Sequence, residues 1–213
     1  IRLCQAGQQG WIGTLPHFLA SGAYDEPFVE RVVEEARRQV EWLRGRLART
    51  ANVRLFQANC LLWCGLRLDW LAEAAEWRAL AVRMLNDAFR RMIHPDGSNV
   101  ERDPHYVGVY TAVFGSAVTW ARAFPELGLS VEAERVARLF DYAVAGTKPS
   151  GFECGLHDSV SAWTGTRPNA AMQRRGEFRR RVGLPQELPP PCRLYADAGQ
   201  AFLRSGWDAD AVY

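Results

Sequence analysis

The chain has 213 residues and a mass of 24.0 kDa, room for one compact domain and a small remainder. Its 48% hydrophobic and 23% charged residues exclude a disordered or collagen-like chain, and its apolar stretches are interrupted too soon for a membrane span. A net charge of +2 is too small to point to nucleic acid, and Lys148 is the only lysine among 26 basic side chains.

In chain order, the periodicity predicts a helix over 25–49, with Phe28, Val32, Ala36, Val40, Leu43 and Leu47 on one stripe. Asp25 is its expected N-cap, Pro27 stands in its first turn, and Glu34 with Arg38 forms an i,i+4 pair on the wet side. The next helix, over 52–68, is apolar on all sides and so is expected to be buried on all sides. The pattern then repeats. The stretch 71–93 is one-sided, with Trp77, Ala81, Leu85 and Met92 inward, 106–124 is apolar all round, and 130–145 is one-sided again. This outer-and-inner order predicts a mainly α fold, an incomplete (α/α) toroid of antiparallel helical hairpins, and the change of composition after Gly183 predicts the start of a second, β-rich domain. The expected domains are a toroid over 1–183, a Pro-rich linker over 184–194, and the start of the β-rich domain over 195–213. Strand-like runs at 200–204 and 209–213 flank a Gly206-Trp207-Asp208 turn. The five cysteines, Cys4, Cys60, Cys64, Cys154 and Cys192, contain no CxxC pair and suit packing better than metal or redox chemistry.

Two connections, 94–105 and 147–167, are long for a helical domain, and long connections tend to be functional. With the junction 50–52 they all run from an outer to an inner helix, so they are expected on one rim, at the N-termini of the inner helices. Free N–H groups and helix dipoles favour anions there. The rim gathers Asn52, Arg54, Asp96, Glu101, Arg102, Asp103, His105, Tyr106, His157 and Asp158.

Four stretches carry a family likeness. The run 49–59, RTANVRLFQAN, resembles the Asn-bearing inner helix of the heparinase II/III-like polysaccharide lyases. The run 95–106, PDGSNVERDPHY, is similar to that family's D-G-x-x-x-E-x-x-P-x-Y segment. Lys148-Pro-Ser-Gly151 with Leu156-His-Asp158 resembles its next rim loop, and 197–208 the opening of its β-sandwich. The resemblance implies β-elimination on a uronate-containing glycan such as alginate or a heparan-type glycosaminoglycan. Asn52 matches the residue that neutralises the uronate carboxylate, and Tyr106 the acid/base. Arg54, Arg102, His105, His157 and Trp163 are the expected substrate-binding residues. No cofactor or metal is implied for this stretch, and the partner is an acidic poly- or oligosaccharide. Location in the periplasm or outside the cell follows from that substrate class. Val53 and Val107 stand where many members have histidine.

An asparagine can donate to a carboxylate without forming an ion pair. A tyrosine, with a pKa near ~10, needs cationic neighbours to serve as a base, and Arg102 and His105 are close in sequence. Asn52 is alternatively the N-cap of its helix. Two other functions remain open at this point. One is glycoside hydrolysis through Asp96, Glu101, Asp103 or Asp158; the other is a helical module that binds glycans without cleaving them.

Overall fold

A computed structural model describes residues 13–149, 154–156, 170–208 and 210–213. The chain divides into two compact units, 1–86 and 87–213. It is mainly helical, with two short strands near its end, which is the expected class.

In the first unit, α1 spans Gly13–Ser21, α2 Glu26–Arg44 and α3 Ala51–Arg67, and α4 begins at Ala74 and runs across the division to Met92. Helix α2 starts where its sequence says. The Asp25 carboxylate accepts the Phe28 N–H at 2.9 Å, and Pro27 needs no partner in the first turn. It buries only Val40 and Leu43, whereas α3 buries Leu55, Ala58, Cys60, Leu61, Leu62 and Cys64. Helices α3 and α4 approach closely at Gly65, where a Cβ would stand 2.8 Å from Arg78 Cγ. Three side-chain links join α2 to α4 or the turn before it: Arg37 with Glu73, Arg44 with Glu76, and the Trp77 indole N–H with Glu41. The expected Glu34–Arg38 pair does not form. Arg37 takes Glu34 and Arg38 takes Glu35, each three residues apart, because Arg37 also turns toward Glu73.

In the second unit, α5 spans Pro104–Ala123, α6 Ala133–Ala145 and α7 Ala170–Arg181, with a 3₁₀ turn at Pro125–Leu127. Helix α5 packs on α6 and α6 on α7. The core holds Phe89 edge-on to Phe114 at 5.2 Å and Phe140 stacked on Phe178 at 4.7 Å. Strands β1 (Arg193–Tyr195) and β2 (Gln200–Phe202) form an antiparallel hairpin, Tyr195 opposite Gln200. This corrects two details. Residues 193–194 belong to a strand rather than to the linker, and residues 210–213 form none. The turn falls at 196–199, where Gly199 takes a φ of +64°, so β2 pairs backward with β1.

A buried ion cluster ties this unit together. Asp141 on α6 accepts Arg175 Nε at 2.5 Å, and Arg179 and Arg193 each approach it at 3.7 Å. Among the described cysteines, Cys60, Cys64 and Cys154 are buried and Cys192 is exposed. None of the described helices is long and apolar enough to cross a membrane.

Candidate functional site

In the first unit the site residues lie in the opening turn of α3. The cap is Thr50, in an extended conformation and without a side-chain hydrogen bond. Asn52 is therefore not the N-cap, one of its two expected roles. It stands inside the first turn, where its Oδ1 accepts the Val53 N–H at 2.7 Å. Its Nδ2 bonds to none of the described residues and remains a donor beside the positive end of the helix. Arg54 is exposed, and its guanidinium donates to the Ala48 carbonyl at 3.5 Å. The preceding loop is held by a residue that the sequence reading passed over. Buried Gln57 accepts the Ala48 N–H at 2.7 Å and donates to the Arg46 carbonyl at 3.2 Å. The signal available was a lone glutamine within an otherwise apolar stretch.

In the second unit the loop from α4 to α5 is built in two halves. The first is a tight turn. The His94 N–H donates to the Ser98 carbonyl at 2.8 Å, and Asp96 Oδ1 accepts both the N–H and the hydroxyl of Ser98. Arg135 and Arg138 of α6 hold the carbonyls of Ile93, His94 and Pro95. Gly97 has a φ of +93°, and a Cβ there would overlap the Arg138 backbone. Gly97→Ala is therefore expected to destabilise the protein by roughly 2 kcal/mol or more, read as a lower denaturant midpoint.

The second half delivers Tyr106. Asp103 caps α5, its Oδ1 accepting the N–H groups of His105 at 2.7 Å and Tyr106 at 3.4 Å, with Pro104 in the first turn. This places the helix start two residues before the expected Tyr106. The Tyr106 and His105 rings meet edge to face at 5.7 Å, with His105 and Arg102 exposed and Tyr106 half-buried. One turn further on, burial pushes the Tyr110 phenol well above its ordinary value, and the Glu101 carboxylate beside it adds to the shift.

The structure thus groups Arg102, His105 and Tyr106 at one helix end, and Asn52 with Arg54 at another. His157, Asp158 and Trp163 lie outside the described residues. Of the four carboxylates offered for hydrolysis, Asp158 lies outside the described residues and two of the others are otherwise engaged. Asp96 holds Ser98 and the Asp197 N–H, Asp103 caps α5 and is almost fully buried, and Glu101 faces Tyr110. Among the described residues no group of three or more His, Cys, Asp and Glu is arranged to hold a metal ion. The chemistry on offer is a phenol beside an imidazole at one helix start, and an amide donor at another.

Comparison with known proteins places these features in a family. The family described as Heparinase II/III N-terminus matches residues 7–165. A heparin-sulfate lyase of Pedobacter heparinus is 22% identical over an alignment of 213 residues, covering 93% of this chain and 32% of that protein. A heparin-sulfate lyase of Bacteroides stercoris is 26% identical over 89 residues, covering 42% of this chain and 13% of that protein. Among solved structures, a heparinase III superposes with a TM-score of 0.77 at 20% identity, over 98% of this chain and 36% of that one. The heparan sulfate lyase HepC of Pedobacter heparinus gives 0.72 at 21% identity, over 98% and 34%. The likeness to these structures shows the fold, that of the N-terminal portion of heparinase III. The chain spans about a third of the length of the Pedobacter relative.

Proposed function

The chain belongs to the Heparinase II/III N-terminus family, and from that premise we propose that it is the helical part of a polysaccharide lyase that cleaves a heparan-type glycosaminoglycan by β-elimination. The names of its relatives favour a glycosaminoglycan over alginate. The observation that carries the reading is the start of α5, where one cap sets Tyr106 beside His105.

In this reading the Asn52 amide donates to the uronate carboxylate and spreads the charge that develops as the C5 proton leaves. That electrostatic support supplies a large share of the rate. Tyr106 takes the C5 proton and returns one to O4. The C5–H and C4–O4 bonds break, the C4=C5 double bond forms, and no water is consumed. Arg54 and Arg102 attract the anionic chain, and His157 and Trp163 complete the substrate contacts. An enzyme for such polymers works in the periplasm or outside the cell.

The test is ultraviolet absorbance of unsaturated uronate, using the full-length protein that carries this chain on heparan sulfate, heparin, chondroitin sulfate, hyaluronan and alginate. Growth on heparan sulfate or heparin is expected. Growth on alginate alone would overturn the substrate assignment, and new reducing ends without absorbance would overturn the lyase.

A further inference from the structure

Among the described residues, Arg102 is the only one other than glycine with a left-handed backbone, φ +55°. That conformation is uphill for a residue with a Cβ and persists where the surroundings enforce it. It falls immediately before the α5 cap, so the path of the chain through Arg102 decides where Asp103, His105 and Tyr106 arrive.

Two hydrogen bonds hold the residue. Its N–H donates to the Asn99 carbonyl at 3.2 Å, and its carbonyl accepts Nε2 of Gln200 at 2.9 Å, from 98 residues further along the chain. Gln200 is itself oriented, because its Oε1 accepts the Tyr142 hydroxyl. Tyr142 is almost fully buried, edge-on to Tyr195 at 4.8 Å and to Phe202 at 5.8 Å. The same hairpin grips the first half of the loop through a reciprocal pair. The Asp96 N–H donates to the Asp197 carboxylate at 3.3 Å, and the Asp197 N–H to the Asp96 carboxylate at 3.1 Å.

We infer that Gln200 is a positioning residue. By holding the Arg102 carbonyl it keeps that residue left-handed, brings Asp103 to the cap of α5, and fixes the Arg102 guanidinium, His105 and Tyr106 in working order. The hairpin thereby controls a loop it shares no sequence with. The inference rests on the reading of Tyr106 as the proton-transfer group.

The experiment is Gln200→Glu in the full-length protein. An ionised glutamate still accepts from Tyr142 but has no proton for the Arg102 carbonyl. Hydrogen exchange in peptides covering 102–107 is expected to speed up about tenfold, the worth of one hydrogen bond, while peptides from 51–67 are unchanged. On the cleaved glycan, kcat is expected to fall about tenfold with KM within about twofold. Glycine adopts the left-handed conformation freely, so in an Arg102→Gly background the further effect of Gln200→Glu on exchange is expected to shrink. Gln200→Met, apolar and of similar length, repeats the test if a charge unsettles the hairpin. Unchanged exchange over 102–107, or faster exchange with unchanged kcat, overturns the inference. Faster exchange in a protein whose parent cleaves no glycan keeps the hold on Arg102 and overturns the lyase reading instead.

Discussion

Tyr106→Phe is expected to lower kcat on heparan sulfate by about 10²–10⁴-fold and to leave KM within a few fold. The substitution removes one oxygen and leaves the rest of the helix start alone. The Asp103 cap acts on backbone N–H groups, and the edge-to-face contact with His105 is made by the ring. The thermal midpoint of the variant should therefore match the parent, which separates lost chemistry from lost structure. Asn52→Asp is the companion. It keeps the shape and can still accept the Val53 N–H, but it replaces an amide donor with a second negative charge facing the uronate. Its expected loss in kcat/KM is at least as large as that of Tyr106→Phe. Retention of parental kcat by either variant would return that residue to a structural role.

The largest expected effect on stability comes from Asp141. Asp141→Ala leaves the Arg175 guanidinium, about 2% exposed, without its carboxylate partner, and sets Arg179 and Arg193 against it with nothing between. Breaking a buried pair from one side costs about 3–5 kcal/mol, a large part of a typical folding stability of about 5–15 kcal/mol. Among the described residues, Arg175 would keep its bond to the Glu187 carbonyl. Urea unfolding followed by circular dichroism measures the loss. The double variant Asp141→Leu with Arg175→Met should recover much of it, since the cost lies in the stranded charge and not in the missing attraction. A loss under about 1 kcal/mol in the single variant would mean that the cluster is solvated and does not tie α6 to α7 and β1.

Local signals in the sequence reach as far as local physics does. The N-cap Asp25 with Pro27 and the alternation of one-sided with all-round apolar helices are decided within a few residues, and the helices stand close to where those signals place them. Three features escaped because distant partners decide them. Arg37 leans to Glu73, which shifts the ion pairing on α2. Residues 193–194 read as linker beside the prolines, yet begin a strand because Gln200–Phe202 pairs with 193–195. The left-handed Arg102 carries no sequence signal, since its conformation is maintained by Gln200 from across the unit. The candidate site was legible in part. The residue types and the helix start around Tyr106 follow from the motif. Asn52 turned out to sit inside the first turn behind a Thr50 cap.

The most direct test of the account is the mass of the products. Heparan sulfate oligosaccharides of defined length, digested by the full-length protein, should give fragments whose masses sum to that of the substrate. Every newly formed non-reducing end should carry an unsaturated uronate. That is the signature of elimination, in which no water enters. Fragments that together exceed the substrate by one water per cleavage would establish hydrolysis and contradict the roles given to Asn52 and Tyr106.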